Sequence, residues 1–200
     1  DRYLRPMAKV SSAREDMLNA AVELFRARGY SGVGVAELLQ KSGAPRGSLY
    51  FHFPGGKEQI GAEAVRRVGA EVASRFRDLR LSGVDMPTFV ERVFKTTAKE
   101  VKERAYKASC PMAAIAAEFS NENPQLQAAV RDSFASWEDE IALAAMSNGY
   151  SKENATTFAS AMLAAMEGAF VVSKAQESSL PHVNASRAVL ALAMALKPVN

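Results

Sequence analysis

Between Arg46 and Lys57 the chain sets out several groups suited to holding a polyanion. Arg46 carries a planar guanidinium whose fork of donors fits a guanine edge or a phosphate. Ser48, Tyr50 and His52 follow at two-residue steps, each ending in a hydrogen-bonding group. Gly47 has no side chain and Ser48 a small one, so the backbone here can come close to a groove wall. Lys57 follows Pro54-Gly55-Gly56, where a helix is expected to start. There its ammonium and the free N–H groups of the helix end can face one phosphate together.

Other chemistry is poorly provided for. One cysteine, Cys110, leaves no internal disulfide and no cysteine-based zinc cluster, and two histidines do not supply a usual metal site. No paired carboxylates, phosphate-cradling glycine loop or nucleophile elbow is present. The sequence therefore predicts no catalytic residues, no metal and no cofactor, and so no enzyme.

The elements that would position Arg46 to Lys57 are two short helices around a turn. Val35, Leu38 and Leu39 fall on one face of a helix over 35–42. Gly43 suits the left-handed residue that ends such a helix, and Pro45 suits the opening of the next. The second helix, 46–53, buries Leu49 and Phe53 and leaves Arg46, Ser48, Tyr50 and His52 for a partner. Two short helices, a glycine turn and a basic, hydroxyl-rich second helix make a helix-turn-helix, whose partner is double-stranded DNA.

Charge agrees with this placement. Residues 1–57 hold nine Lys/Arg against five Asp/Glu, while residues 58–200 hold sixteen against seventeen. The whole positive excess lies in the part that would meet phosphate. At 48% hydrophobic and 24% charged, with few β-branched residues, the chain should fold as an all-α protein with a sizeable core. No run approaches 18 uninterrupted apolar residues, and the first ten lack the apolar stretch of a signal peptide. Neither a membrane span nor export is expected, and the cytoplasm is the expected location. Met7 is a candidate native start.

Along the chain, Ser11 or Ser12 can cap a first helix whose stripe of Met17, Leu18, Ala21, Val22, Leu24 and Phe25 ends at Gly29. A long helix over 57–81 has one apolar seam and an outer face of arginines mixed with acids, read as solvated. Helices are then expected over 86–106, 112–119, 124–147, from Ser151 through the Phe158–Ser173 stretch, and over 185–196. The loop 176–184 precedes the last of them. The count is about nine helices.

The pieces Phe25-Arg26-Ala27-Arg28-Gly29-Tyr30, Gly43-Ala44-Pro45-Arg46-Gly47-Ser48-Leu49-Tyr50-Phe51-His52-Phe53 and Lys57-Glu58 resemble the TetR/AcrR family of bacterial transcription regulators. The segment from Gly43 to Tyr50 and Phe53-Pro54-Gly55-Gly56-Lys57-Glu58 resemble its LmrA/YxaF-like branch in particular. The resemblance implies an N-terminal three-helix DNA-binding domain over 8–56. A helical ligand-binding and dimerisation domain over 57–200 follows, with helix 57–81 linking the two. It implies a homodimeric repressor whose last two long helices form the dimer interface. The operator is expected to be palindromic, and a small hydrophobic or aromatic effector would release it. Tyr50 and His52 match family positions that reach phosphate, although His52 can equally pack against the first helix. Two departures stand out. Val33, followed by Gly34, occupies the place of a phosphate-contacting Thr, and Arg46 replaces the usual Lys.

For the ligand the candidates are Phe89, Met112, Ile115, Phe119, Phe134, Trp137, Met162, Met166 and Phe170, adaptable and aromatic side chains that equally suit a filled core. Glu167, polar on an apolar helix, can orient a ligand or lie at a solvated edge. Cys110 can be a redox group or a small packing residue, and His182 stands in the polar loop. The rival reading is a helical small-molecule-binding protein or enzyme with a vestigial helix-turn-helix; a further one is a regulator without an inducer.

Overall fold

A computed structural model describes residues 6–107, 110–118 and 123–197, with side chains from Ala13 on. Among the described residues every regular element is an α-helix, in agreement with the all-α expectation. They run α1 (Pro6–Arg28), α2 (Val35–Ser42), α3 (Ser48–His52), α4 (Gly56–Leu81), α5 (Met86–Glu103), α6 (Pro111–Ala116), α7 (Pro124–Ser147), α8 (Lys152–Gln176) and α9 (Leu180–Leu196). Phe119 and residues 121–122 of the break before α7 lie outside the described residues.

Several boundaries follow from local chemistry. Gly43 takes φ +67° and its N–H returns to the Gln40 carbonyl, ending α2 as a left-handed cap. Nothing lies within 4 Å of a Cβ built there, so only the backbone resists a side chain. Gly43→Ala should therefore cost about 1 kcal/mol, read as a lower midpoint in thermal or urea unfolding. Asp85 and Ser151 cap α5 and α8 by accepting from the main-chain N–H of Thr88 and Asn154.

Other boundaries correct the sequence reading. The helix α1 starts at Pro6, so Ser11 and Ser12 lie inside it rather than at its cap. The turn residues Arg46 and Gly47 precede α3, because the Ser48 N–H bonds the Pro45 carbonyl at 2.9 Å. Positive φ at Ala105 and Tyr106 ends α5 at Glu103. The polar loop before α9 shrinks to Glu177–Ser179: Glu177 adopts φ +47° and closes α8, and Pro181 sits in the first turn of α9, where its missing N–H costs nothing. His182 is thus a helix residue, fully buried, with Nδ1 2.8 Å from the Ser173 hydroxyl.

The contacts group the chain into two units. The first comprises Asp1–Val68 and Pro111–Arg131, the second Gly69–Cys110 and Asp132–Asn200; α4 and α7 contribute residues to both. In the first unit α1 packs on α2, α3 and α6. Met17, Leu18, Ala21 and Phe25 from α1 are buried with Leu38, Leu49, Phe53 and Ile60. Val33 joins them at 1% exposed, and Gly34 starts α2 without a side-chain cap. Where the resemblance implies a phosphate-contacting hydroxyl, the chain has a core side chain.

In the second unit α9 packs antiparallel on α8 and also on α5. The Tyr150 hydroxyl donates to the Ala193 carbonyl at 2.6 Å, and the Asn154 amide to that of Leu196 at 2.7 Å. Trp137 on α7 donates its indole N–H to the Gly69 carbonyl at 2.8 Å, and Phe76 and Phe134 stand edge-on to its ring. On α4, Arg66, Arg75 and Arg77 are exposed, as expected, but several of these arginines are also held in ion pairs. Arg77 and Arg80 both grip the buried Glu140, and Arg75 pairs with Glu100. By length and composition α8 is apolar enough to cross a bilayer, with a mean hydropathy of 1.5 over its most apolar stretch; 44% of that stretch is buried within the protein.

Candidate nucleic-acid interface

The short helix α3 divides its side chains sharply. Leu49 and Phe53, four residues apart, point into the core at 0% exposed. The Arg14 guanidinium lies 5.1 Å from the Phe53 ring centroid and pairs with Glu63, bracing the helix from behind. On the other side Tyr50 is 64% exposed and Phe51 72%. Arg46 and Gly47 are exposed in the preceding turn. Arg46 has no ion-pair partner among the described residues, whereas Arg28 pairs with Glu37 and Lys41 with Glu23. An exposed guanidinium in the turn and two exposed aromatic rings on the helix that follows are groups suited to phosphate and to base edges with thymine methyls.

The remaining candidates are placed differently. The Ser48 hydroxyl donates to the Pro45 carbonyl at 2.6 Å, so it holds the turn and keeps only its lone pairs for a partner. His52 is half-buried between Phe51 and Phe53, its ring 5.0 Å and 6.4 Å from theirs. Lys57 does not project: its ammonium lies 4.0 Å from the Tyr30 ring centroid. Burial holds its pKa below the usual lysine value, partly opposed by the Glu118 carboxylate. Lys57 is the second residue of α4, where main-chain N–H groups lack helical partners. Arg46, Gly47 and Tyr50 are thus exposed, whereas Ser48, His52 and Lys57 make contacts within the protein. Phe51 was not singled out from the sequence. Its position, two residues from Leu49 and Phe53 alike, already puts it opposite the buried side of α3.

Glu118 ties the segment after α6 to the turn between α1 and α2. Its carboxylate accepts the Ser31 N–H at 2.6 Å and lies where a Cβ on Gly29 would be. Glu58 accepts the Gln125 N–H at 2.8 Å, a second tie of α4 to α7. Both bonds are surface-accessible, so Glu118→Ala should cost about 1 kcal/mol, seen as faster amide exchange at Ser31 and a slightly lower unfolding midpoint.

The ligand candidates fall in both units. Met112 and Ile115 belong to the first; Phe89, Phe134, Trp137, Met162, Met166 and Phe170 belong to the second. All are buried except the half-buried Phe134. The Trp137 indole N–H is already given to the Gly69 carbonyl, and Phe170 stands edge-on to His182 at 4.9 Å. Glu167 is not at a solvated edge: both carboxylate oxygens are closed off from water. Cys110 is buried. A cavity of about 150 Å³ lies between the start of α5 and the end of α9, beside Asp85, Tyr150 and Lys197. Asp85 and Tyr150 spend their polar groups on Thr88 and Ala193, and no ligand candidate lines it. Among the described residues no group of three or more His, Cys, Asp or Glu could hold a metal.

Comparison with known proteins bears on both parts of the chain. Residues 17–64 match the profile of the tetR family of bacterial regulatory proteins, and residues 88–188 that of the C-terminal domain of LmrA/YxaF-like transcriptional regulators. The chain is 29% identical over 177 residues to the HTH-type transcriptional regulator LmrA of Bacillus subtilis, covering 88% of this chain and 94% of that one. Over 70 residues, 35% of each chain, it is 36% identical to the HTH-type transcriptional repressor NemR of Escherichia coli. The crystal structure of reduced NemR superposes with a TM-score of 0.78 at 25% identity, over 88% of this chain and 94% of that one.

Proposed function

The chain belongs to the TetR family, with a C-terminal domain of the LmrA/YxaF-like kind, and on that premise we propose a homodimeric repressor released from its operator by a small hydrophobic or aromatic ligand. That it is a DNA-binding transcriptional regulator and not an enzyme follows from the family itself. The observation that carries the DNA reading is the exposed Arg46, without an ion pair among the described residues, just before a short helix that exposes Tyr50 and Phe51 and buries Leu49 and Phe53. These residues would enter a major groove, with Arg46 on a base edge or phosphate and Tyr50 on the backbone. Gly47, the Ser48 lone pairs, His52 and the Lys57 N–H would supply closer or weaker contacts around them.

Support for a homodimer comes from the outer faces of α8 and α9. Val171, Val172, Leu180, Val183 and Met194 are all exposed, Met194 at 78%. Apolar side chains gathered on two neighbouring helices suit a four-helix seam with a second copy. Two heads so joined must present their α3 helices about 34–36 Å apart to read successive major grooves. A ligand that binds better to a wider-spaced form would lower operator affinity by that difference. The sign of regulation is supported by the relative named as a repressor, and the place of action is the cytoplasm, where the operator is.

The test is selection of bound sequences from a random duplex pool, followed by anisotropy titration of the winner. A palindromic operator bound by a dimer is expected. A monomer at micromolar concentration in sedimentation, or DNA binding that stays indifferent to sequence, would sink the reading. Met194→Glu should weaken the dimer without unfolding the chain, because the side chain is already exposed.

A further inference from the structure

Glu167 sits on α8 with Leu163 four residues before it and Phe170 three after, both buried and on the same helix face. Its stem is partly exposed, yet both carboxylate oxygens are closed off from solvent. Among the described residues neither oxygen has a hydrogen-bond partner of normal geometry. The Cys110 thiol lies beside it, a weak donor that eases the charged form slightly; burial works the other way and lifts the carboxyl to about 7.

Such a group is costly in either form, as an unpaired charge or as an unsatisfied acid. An apolar side chain of similar size would pack there without that cost. The contrast within the same unit is instructive. Glu140, also buried, is held by both Arg77 and Arg80. That buried acid has two cationic partners. Glu167 has no cationic partner among the described residues, only the weak Cys110 donor.

We propose that Glu167 anchors a binding site for an organic cation, an amine or amidinium carried on an apolar body, within the second unit. The proposal names the ligand class of the effector reading above and rests on it. A cation within about 4–6 Å would complete the pair and favour the ionised carboxylate. Met162 and Met166, buried on the same helix, are unbranched and can re-pack around an apolar body. A neutral ligand of the same shape gains nothing from Glu167, so the site discriminates by charge rather than by size.

The experiment titrates the full chain with 4-phenylbutylamine and with its neutral counterpart 4-phenylbutan-1-ol. Emission of Trp137, the single tryptophan, and thermal shift are followed at pH 8 and pH 6, either side of about 7. The amine should bind about tenfold more tightly than the alcohol at pH 8, and this preference should shrink at pH 6. Glu167→Gln should abolish the preference while leaving alcohol binding within about threefold, and Glu167→Asp should keep part of it. Equal binding of the two compounds, no binding of either at millimolar concentration, or a preference that survives in Glu167→Gln overturns the proposal. Operator titrations separate the two readings. Neutral compounds that release DNA with no preference for amines sink the cation site and leave the effector reading standing. Glu167-dependent amine binding that leaves operator affinity unchanged upholds the site and sinks the effector reading.

Discussion

Replacing Arg46 and Tyr50 together by alanine should abolish sequence-selective DNA binding at physiological salt while leaving the helical fold intact. Both side chains are exposed, and neither has a hydrogen-bond partner among the described residues, so stability should stay within about 0.5 kcal/mol of the parent. Each lost contact to a base edge or phosphate should cost about 1–3 kcal/mol, roughly ten- to a hundredfold in affinity, and the two need not add because they are neighbours. The salt dependence distinguishes the roles. If Arg46 neutralises a phosphate, Arg46→Ala lowers the slope of log K against log salt by about 1; if it reads a guanine edge, the selected sequence relaxes at one position instead. Arg46→Lys keeps the charge but not the fork, so a base-reading role predicts loss of selectivity with retained non-specific binding. Operator affinity of the double variant equal to the parent's would remove α3 from the interface.

How far this was legible beforehand depended on the range of the interaction. The bounds of α2, the start of α7 at Pro124 and the start of α8 after Ser151 were readable, because Gly43, Pro124 and the Ser151 cap act within a few residues of themselves. The start of α9 was not. Pro181 reads equally as a breaker or as a first-turn residue, and what decides is His182 finding Ser173 on the neighbouring helix. The same limit applies at the interface. Arg46 and Tyr50 were readable as exposed, but Lys57 was not readable as lying over Tyr30, and Val33 was noticed as a missing hydroxyl rather than as a core residue. Among the ligand candidates periodicity marks what is buried and stays silent on what each residue touches. The gift of the Trp137 donor to Gly69, 68 residues away, and the isolation of Glu167 are properties of tertiary packing.

The second large effect is a pair of opposed pH dependences in the second unit. Burial lowers His182 to about 4 from an ordinary 6.5. Above pH 6.5 it is neutral folded or unfolded; as pH falls toward 4 only the unfolded chain takes the proton, and stability is lost. Burial raises Glu167 to about 7 from an ordinary 4.5. Below pH 4.5 it is protonated in both states; as pH rises toward 7 only the unfolded chain gives the proton up, and stability is again lost. Each shift spans a similar range, worth about 3 kcal/mol at its far end. Between about pH 4.5 and 6.5 the two slopes have opposite sign, so the pH dependences of this pair nearly cancel in the parent protein although both groups cost stability. Single variants should separate them. Glu167→Gln should grow more stable relative to the parent by up to about 3 kcal/mol as pH rises from 4 to 8, whatever constant cost the buried amide adds. His182→Gln should grow more stable relative to the parent by a similar amount as pH falls from 7 to 4. Urea unfolding at five or six pH values reads both differences, and because each is taken against the parent at the same pH, titration elsewhere in the chain drops out. A difference that is flat with pH for Glu167→Gln would mean that the carboxylate is hydrated or paired in solution, which would also take away the vacancy that a cationic ligand is proposed to fill.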